Sequence, residues 1–240
     1  MPDVLVLCYH ALSERWPAAL STTPELFREQ LELVLGRGYR PVTFEQAVEG
    51  GDGRSVAVTF DDAYRSVLER ARPIMDELGV PGTVFVPTDW PGREEPMSWP
   101  GIHQWLDGPH ESELHCMTWD ELRELEGAGW EVGSHTCSHP HLTHLADDRL
   151  AAELHESRVA VEEALGRTCR SIAYPYGDVD DRVVEAAGAA GYSLGASLPK
   201  RLASRGPLDH PRVGIYHADD LRRFKLKLSP LVRRVRKYVP

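Results

Sequence analysis

Short apolar runs alternate along this chain with stretches whose apolar positions recur three and four residues apart. The first run, Val4 to Tyr9, predicts a buried strand with His10 at its C-terminal end. Thr23-Pro24 is a helix start, a capping hydroxyl followed by proline, and Phe27, Leu31, Val34 and Leu35 give that helix one apolar face up to Gly36 and Gly38. Thr43 to Val48 predicts a short helical turn ahead of the glycine-rich loop Gly50-Gly51-Asp52-Gly53. Ser55 to Phe60 is a second strand, a helix over Ser66 to Leu78 should bend at Pro73, and Gly82 to Val86 is a third strand. The rhythm fails over 87–117, which predicts a long irregular insertion, and loops of that length tend to be lids or binding rims. It returns at Thr118-Trp119-Asp120-Glu121, a capping box opening a helix to about Leu125. A strand at Trp130-Glu131-Val132 follows, then a helix over Asp147 to Leu165 and a strand at Ser171 to Ala173. Val183 to Ala190 predicts another helix, with final strands at Tyr192 to Ala196 and Arg212 to Ile215.

Strands alternating with helices predict parallel βα units. The polar clusters all fall just past strand ends: His10, Asp61-Asp62, His135 with His139, and Tyr174 to Gly177. A closed barrel gathers such ends on one face, so the expectation is an α/β fold, a distorted and incomplete β/α barrel, with an open doubly wound sheet as the alternative.

Composition narrows the function classes. With 240 residues, 42% hydrophobic and 27% charged, the chain can bury a sizeable core. Residues 222–240 hold eight Lys/Arg and no acid, whereas the other 221 residues carry 19 basic and 37 acidic side chains. An acidic body argues against general nucleic-acid binding. The division expected is a barrel over 1–221 and a basic C-terminal segment over 222–240. Cys8, Cys116, Cys137 and Cys169 have no framework spacing and suit reduced thiols. The stretch Met1 to His10 lacks a basic region and a cleavage site, and no run approaches the roughly 20 apolar residues of a spanning helix. The expected location is the cytoplasm, or the inner face of its membrane.

Candidate chemistry centres on Gly133-Ser134-His135-Thr136-Cys137-Ser138-His139. One helical turn would put His135 and His139 on the same side, and two imidazoles so placed can chelate a divalent metal if a third, acidic ligand completes the set. Alone, such a pair among 11 histidines reads as two solvated imidazoles. Asp61-Asp62, after the second strand, alters that reading, because one carboxylate can bind metal while its neighbour takes a proton. Cys137 lies between the histidines, but neighbouring positions on a turn diverge and its side chain should point elsewhere.

Thr59-Phe60-Asp61-Asp62, Ser134-His135-Thr136-Cys137-Ser138-His139 and Tyr174-Pro175-Tyr176-Gly177 together resemble the first three motifs of the polysaccharide deacetylases, the NodB-homology domains of carbohydrate esterase family four. The resemblance spans about residues 4–215. It implies a distorted βα barrel and metal-dependent removal of N- or O-acetyl groups from sugars, and the function expected here is hydrolysis of N-acetyl groups of a sugar or saccharide intermediate. It implies Asp61 as general base, Asp62, His135 and His139 as ligands of a divalent metal, zinc first, and the Tyr176 amide as an oxyanion donor. Two departures stand out. No arginine precedes Pro175 closely, and the usual C-terminal leucine-x-histidine motif has only a weak echo at His217. A subgroup of the family opens with a Tyr-His pair, as Tyr9-His10 does here, so His10 is the favoured general acid. Arg212 is the candidate to replace the missing arginine and orient Asp61.

Other readings remain open on these residues: hydrolysis of a non-sugar amide or cyclic imide, and a non-catalytic glycan-binding relic. Trp90, Trp99 and Trp105 in the insertion could stack on sugar rings or pack locally. The basic C-terminal segment, interleaved with Phe224, Leu226, Leu228, Leu231 and Val232, could lie on an anionic membrane or dock on the acidic barrel. A lipid-linked saccharide substrate would fit the membrane reading.

Overall fold

The computed structural model describes residues 3–50, 53–199, 202 and 204–236. Gly51 and Asp52 of the glycine-rich loop and Lys237 of the basic segment lie outside the described residues, as do the side chains of Arg234 and Arg236. The first strand, β1 (Asp3–Tyr9), is followed by two-residue strands β2 (Ala11–Leu12) and β3 (Ser21–Thr22), which pair with each other apart from the main sheet. Helix α1 (Pro24–Gly36) begins where Thr23 accepts a hydrogen bond from the Leu26 amide. Then come β4 (Arg40–Val42), α2 (Phe44–Glu49), β5 (Arg54–Phe60), α3 (Arg72–Leu78), β6 (Gly82–Val86), α4 (Trp119–Gly127) and β7 (Glu131–Ser134). The chain continues through α5 (Asp147–Leu165), β8 (Ser171–Ala173), α6 (Asp181–Ala189), β9 (Leu194–Ser197), β10 (His210–Pro211) and β11 (Val213–Gly214) to α7 (Leu221–Leu228) and α8 (Pro230–Arg236).

The main sheet runs β10-β9-β8-β7-β6-β5-β1-β11, every pairing parallel. β4 pairs the first half of β5, and β6 pairs its second half. The segment 210–214 pairs with β9 through β10 and with β1 through β11, so one extended stretch touches both edges of the sheet. The result is a barrel nearly closed, with one unsealed seam, as the alternation of strands and helices predicts. β4 and the small β2–β3 sheet were not expected from the sequence, because two or three residues carry no readable period.

Interior and exterior alternate strictly with period two. Leu5, Leu7 and Tyr9 of β1 face the helical layer, while Val6 faces inward with Ala57, Phe85, Ala173, Leu194 and Ala196. At Gly133 a Cβ would sit 2.5 Å from Ser171 Oγ and 2.8 Å from the Phe85 ring, so only glycine fits between them. Helix α2 plugs the N-terminal end of the barrel. Phe44 packs edge-on against Phe85 at 5.6 Å, its amide donates to Thr83, and the Glu45 amide donates to Glu131.

Pro73 shapes the helix after β5. Lacking an N–H, it cannot continue the regular ladder, and a π-helical turn over Val67–Ala71 precedes α3. The expected bend is therefore a widened turn upstream of the proline.

Glu131 is buried beneath the barrel interior, and burial outweighs its bonds to Ser171, the Glu45 amide and Thr83, raising its pKa from 4.5 to about 7. Between those values the folded chain holds a proton that the unfolded chain releases, so stability should fall as pH rises through this window. Glu131→Gln should flatten that slope in urea titrations across the window. A slope identical to that of the unaltered protein would show that another group titrates there.

Candidate metal centre and its buried carboxylate

The inward alternation continues past the strand ends and delivers the reactive side chains. His10 extends the Val6 face of β1, Asp61 extends the Ala57 and Thr59 face of β5, and His135 extends the Glu131 and Gly133 face of β7. They meet in a cavity of about 290 Å³ at the C-terminal ends of the strands. Asp62, His139, Trp99, Tyr176 and Tyr216 also line it.

Asp62, His135 and His139 bring one donor atom each within 4.8 Å of one another, all three buried. Asp62 Oδ1 is 3.4 Å from His135 Nε2 and 3.3 Å from His139 Nε2. His135 Nδ1 lies 2.8 Å from the Ala173 carbonyl, an acceptor, so Nδ1 carries the proton and Nε2 presents a lone pair to the cluster. Asp62 Oδ1 and His139 Nδ1 have no hydrogen-bond partner among the described residues. A buried carboxylate oxygen facing two imidazole nitrogens, with no other donor, suits a divalent cation. Burial lowers His139 to about 3, against the pull of Asp62, so its imidazole is neutral and able to ligate. Burial also works to lower His135, but Asp61 and Asp62 outweigh it and raise its pKa, so this spot attracts positive charge.

The two histidines do not share a helical turn. They come together on a loop in which Thr136 (φ 67°) and His139 (φ 62°) adopt left-handed backbone. Six non-glycine residues have such φ values among the described residues, and five of them, Asp62, Ala63, Thr136, His139 and Tyr176, cluster here. Strain of this kind costs on the order of 1–3 kcal/mol per residue and persists only when its surroundings over-determine it. Glu153, buried on α5, supplies much of that constraint. Its carboxylate accepts from the Cys137 and Ser138 amides at 2.9 and 3.0 Å and from Ser138 Oγ at 2.5 Å. Cys137 points away from the cluster, with Sγ toward the Glu153 carbonyl. Glu153 escaped the sequence reading, although a charge between Leu150 and Leu154 on the apolar face of a helix was a visible signal.

Asp61 is set apart from Asp62 by its counter-ion. Arg212, fully buried in the segment that bridges the seam, grips it in a bidentate pair, Nη1 to Oδ1 at 2.6 Å and Nη2 to Oδ2 at 2.7 Å. Nη1 also donates to Thr59 Oγ1. Burial alone would raise the Asp61 carboxyl, but Arg212 with the neighbouring imidazoles holds it well below the usual carboxylate range. Cys8 Sγ donates weakly to Asp61 Oδ2 at 3.4 Å. His10 is buried beside this pair, its Nδ1 without a partner among the described residues. Burial lowers its pKa, against the pull of Asp62 and Asp61. His217 is exposed and does not line the cavity.

The insertion forms one wall. Trp99 stacks on His139 with ring centres 4.2 Å apart, and Trp90 braces Trp99 edge-on. Trp105 packs instead on Trp16. Tyr176 sits edge-on to His139 and stacks on His141 at 3.9 Å.

Removing one partner of a buried ion pair typically costs about 3–5 kcal/mol because the other charge is stranded. Arg212→Met and Asp61→Asn should each lose stability of that order in denaturant melts, and the double variant should recover a large part. The pair's contribution is present above the ordinary carboxylate pKa and lost as pH falls toward the depressed folded value. Additive losses in the double variant would show that the two charges do not depend on each other.

Comparison with known proteins agrees with this architecture. The family model described as polysaccharide deacetylase matches residues 49–195. The Staphylococcus aureus (strain MRSA252) poly-beta-1,6-N-acetyl-D-glucosamine N-deacetylase is 26% identical over 176 residues, covering 70% of this chain and 56% of that protein. The protein of the same name from Escherichia coli (strain K12) is 25% identical over 251 residues, covering 85% of this chain and 35% of that protein. The chain thus spans less than two thirds of the length of these curated relatives. The solved Streptococcus pyogenes deacetylase PplD, in complex with acetate, shares the fold with a TM-score of 0.77 at 23% identity, covering 95% of this chain and 99% of that one. With the matched region covering more than half its length, the chain belongs to the polysaccharide deacetylase family.

Proposed function

We propose that the chain is a metal-dependent deacetylase that hydrolyses N-acetyl groups of a sugar or saccharide and releases acetate. The observation that carries this reading is the pairing, in one cavity, of a three-donor cluster with a separate, arginine-held carboxylate. A pure ligand site has no use for the second carboxylate, which weighs against a glycan-binding relic. The names of the S. aureus and E. coli relatives support an acetylated glucosamine polymer as the substrate class.

Asp62, His135 and His139 would hold the metal, and their nitrogen and oxygen donors suit zinc. Bound there, a divalent cation supplies Lewis acidity toward the acetyl carbonyl and the attacking water. Asp61 takes the proton from that water. Arg212 keeps it ionised at neutral pH and fixes both its oxygens, at some cost in basicity. In this reading the amide of Tyr176, a cavity-lining residue on a left-handed turn, donates to the developing oxyanion. The C–N bond breaks only if the amine leaves protonated, and His10, buried on the Asp61 side of the cavity, supplies that proton. Trp99 and Tyr176 offer apolar faces to a sugar ring.

Acetate release from N-acetylglucosamine oligomers, with zinc restored after chelation, tests the reading. Turnover that requires the metal supports it, and turnover on cyclic imides alone would overturn it. Asp61→Asn should retain metal and lose about 100- to 10,000-fold in rate, the usual range for removing a general base. Near-normal rates would reassign the base. His10→Gln should remove the limb on which activity falls as pH rises, with metal content unchanged; an unaltered profile would move the acid elsewhere.

A further inference from the structure

Five large apolar side chains are exposed among the described residues. Tyr176 and Tyr216 belong to the cavity mouth. The other three, Leu226 at 61%, Leu231 at 72% and Val235 at 49%, are carried by the consecutive helices α7 and α8. These helices are firmly seated. Phe224 and Leu228 are buried against the barrel, Lys227 pairs with Asp219, and Arg233 bonds Asp3 and Tyr39. The exposed apolar groups are thus the outer face of a docked element.

Cations surround that face. Arg222 lies one turn before Leu226 on the same side of α7, and Arg223 and Lys225 flank it, all exposed. Two further cations arrive from distant parts of the chain. Arg37 and Arg54 join Lys225 in lining a cavity of about 370 Å³ with Tyr39, Leu228 and Pro230. The one acid there, Asp3, is bonded by Arg233 and Tyr39 and lies 3.9 Å from Arg54, so it offsets only part of the positive charge. Asp3 and Arg54 face each other at the first residues of β1 and β5, whereas His10 and Asp61 follow the last. Seven residues at about 3.3 Å each put the two ends roughly 20 Å apart.

We propose that this end of the barrel, opposite the catalytic cavity, docks on an anionic lipid surface. Leucine and valine interleaved with arginine and lysine match the boundary between anionic headgroups and acyl chains. Nucleic acid would satisfy the cations but leave the apolar groups in water. A second copy meeting face to face would oppose like charges. The rest of the chain is acidic, so only this end is attracted, and the docked protein presents its cavity away from the lipid. The helices lie on the surface rather than across it: among the described residues none is long and apolar enough to span a membrane. The inference stands apart from the deacetylase reading and can fail without it.

Co-sedimentation of the full chain with phosphatidylglycerol-containing and pure phosphatidylcholine vesicles tests it. Binding should require the anionic lipid and weaken with salt. Each surface cation is worth about fivefold in partition, so Arg222→Glu with Lys225→Glu should cost about 25-fold or more. Leu226→Ser with Leu231→Ser should weaken binding at least as clearly as one lost cation, with the thermal midpoint unchanged in both variants. Equal binding to neutral vesicles, no binding, or full binding by both variants would overturn the proposal. So would lipid-free dimers that the leucine variant dissolves, which would assign the face to self-association.

Discussion

Two adjacent carboxylates buried in one cavity cannot both stay charged unless each has its own counter-ion. That constraint organises this protein. Asp61 is neutralised by Arg212, and Asp62 faces ring nitrogens of His135 and His139 in a spot that attracts positive charge. Arg212 comes from the segment that pairs with both edges of the sheet, so the charge balance of the cavity also ties the barrel across its seam. The charge state of Asp61 and the tie across the seam thereby depend on one guanidinium.

The surrounding architecture resists collapse of this arrangement. Left-handed backbone at Asp62, His139 and Tyr176, which line the cavity, and at Ala63 and Thr136 beside them, runs against the local preference of each residue. Glu153 holds the histidine loop through its amides, and Trp99 covers the outer face of His139. At the other end of the barrel, α2 closes the interior with Phe44 and caps itself on Thr83 and Glu131. Rigidity below and constraint above leave the cavity as the open end of a packed tube.

Much of this was legible in the sequence. The buried strands announce themselves as apolar runs, and the polar residues just beyond them mark one face of a barrel. Asp61, Asp62, His135 and His139 were visible as motif residues, and Arg212 was reachable from its place on the last strand. The spacing of the histidines suggested a helical turn, and that inference was wrong: periodicity describes regular elements, whereas a strained loop brings these two rings together. Glu153 and Cys8 act through contacts between residues far apart in the chain, which no local pattern encodes. β4 was too short to show a period. The insertion showed only irregularity, and its role as a wall emerges from the Trp99 contact.

The proposed chemistry depends on a metal held by Asp62, His135 and His139. Crystals of the full chain equilibrated with zinc, and diffraction recorded at the zinc absorption edge, locate it directly. The prediction is a single anomalous peak among Asp62 Oδ1, His135 Nε2 and His139 Nε2, with the Arg212–Asp61 pair intact beside it. A peak at the Cys8, His10 and Asp61 group, or none within the cavity, would contradict it.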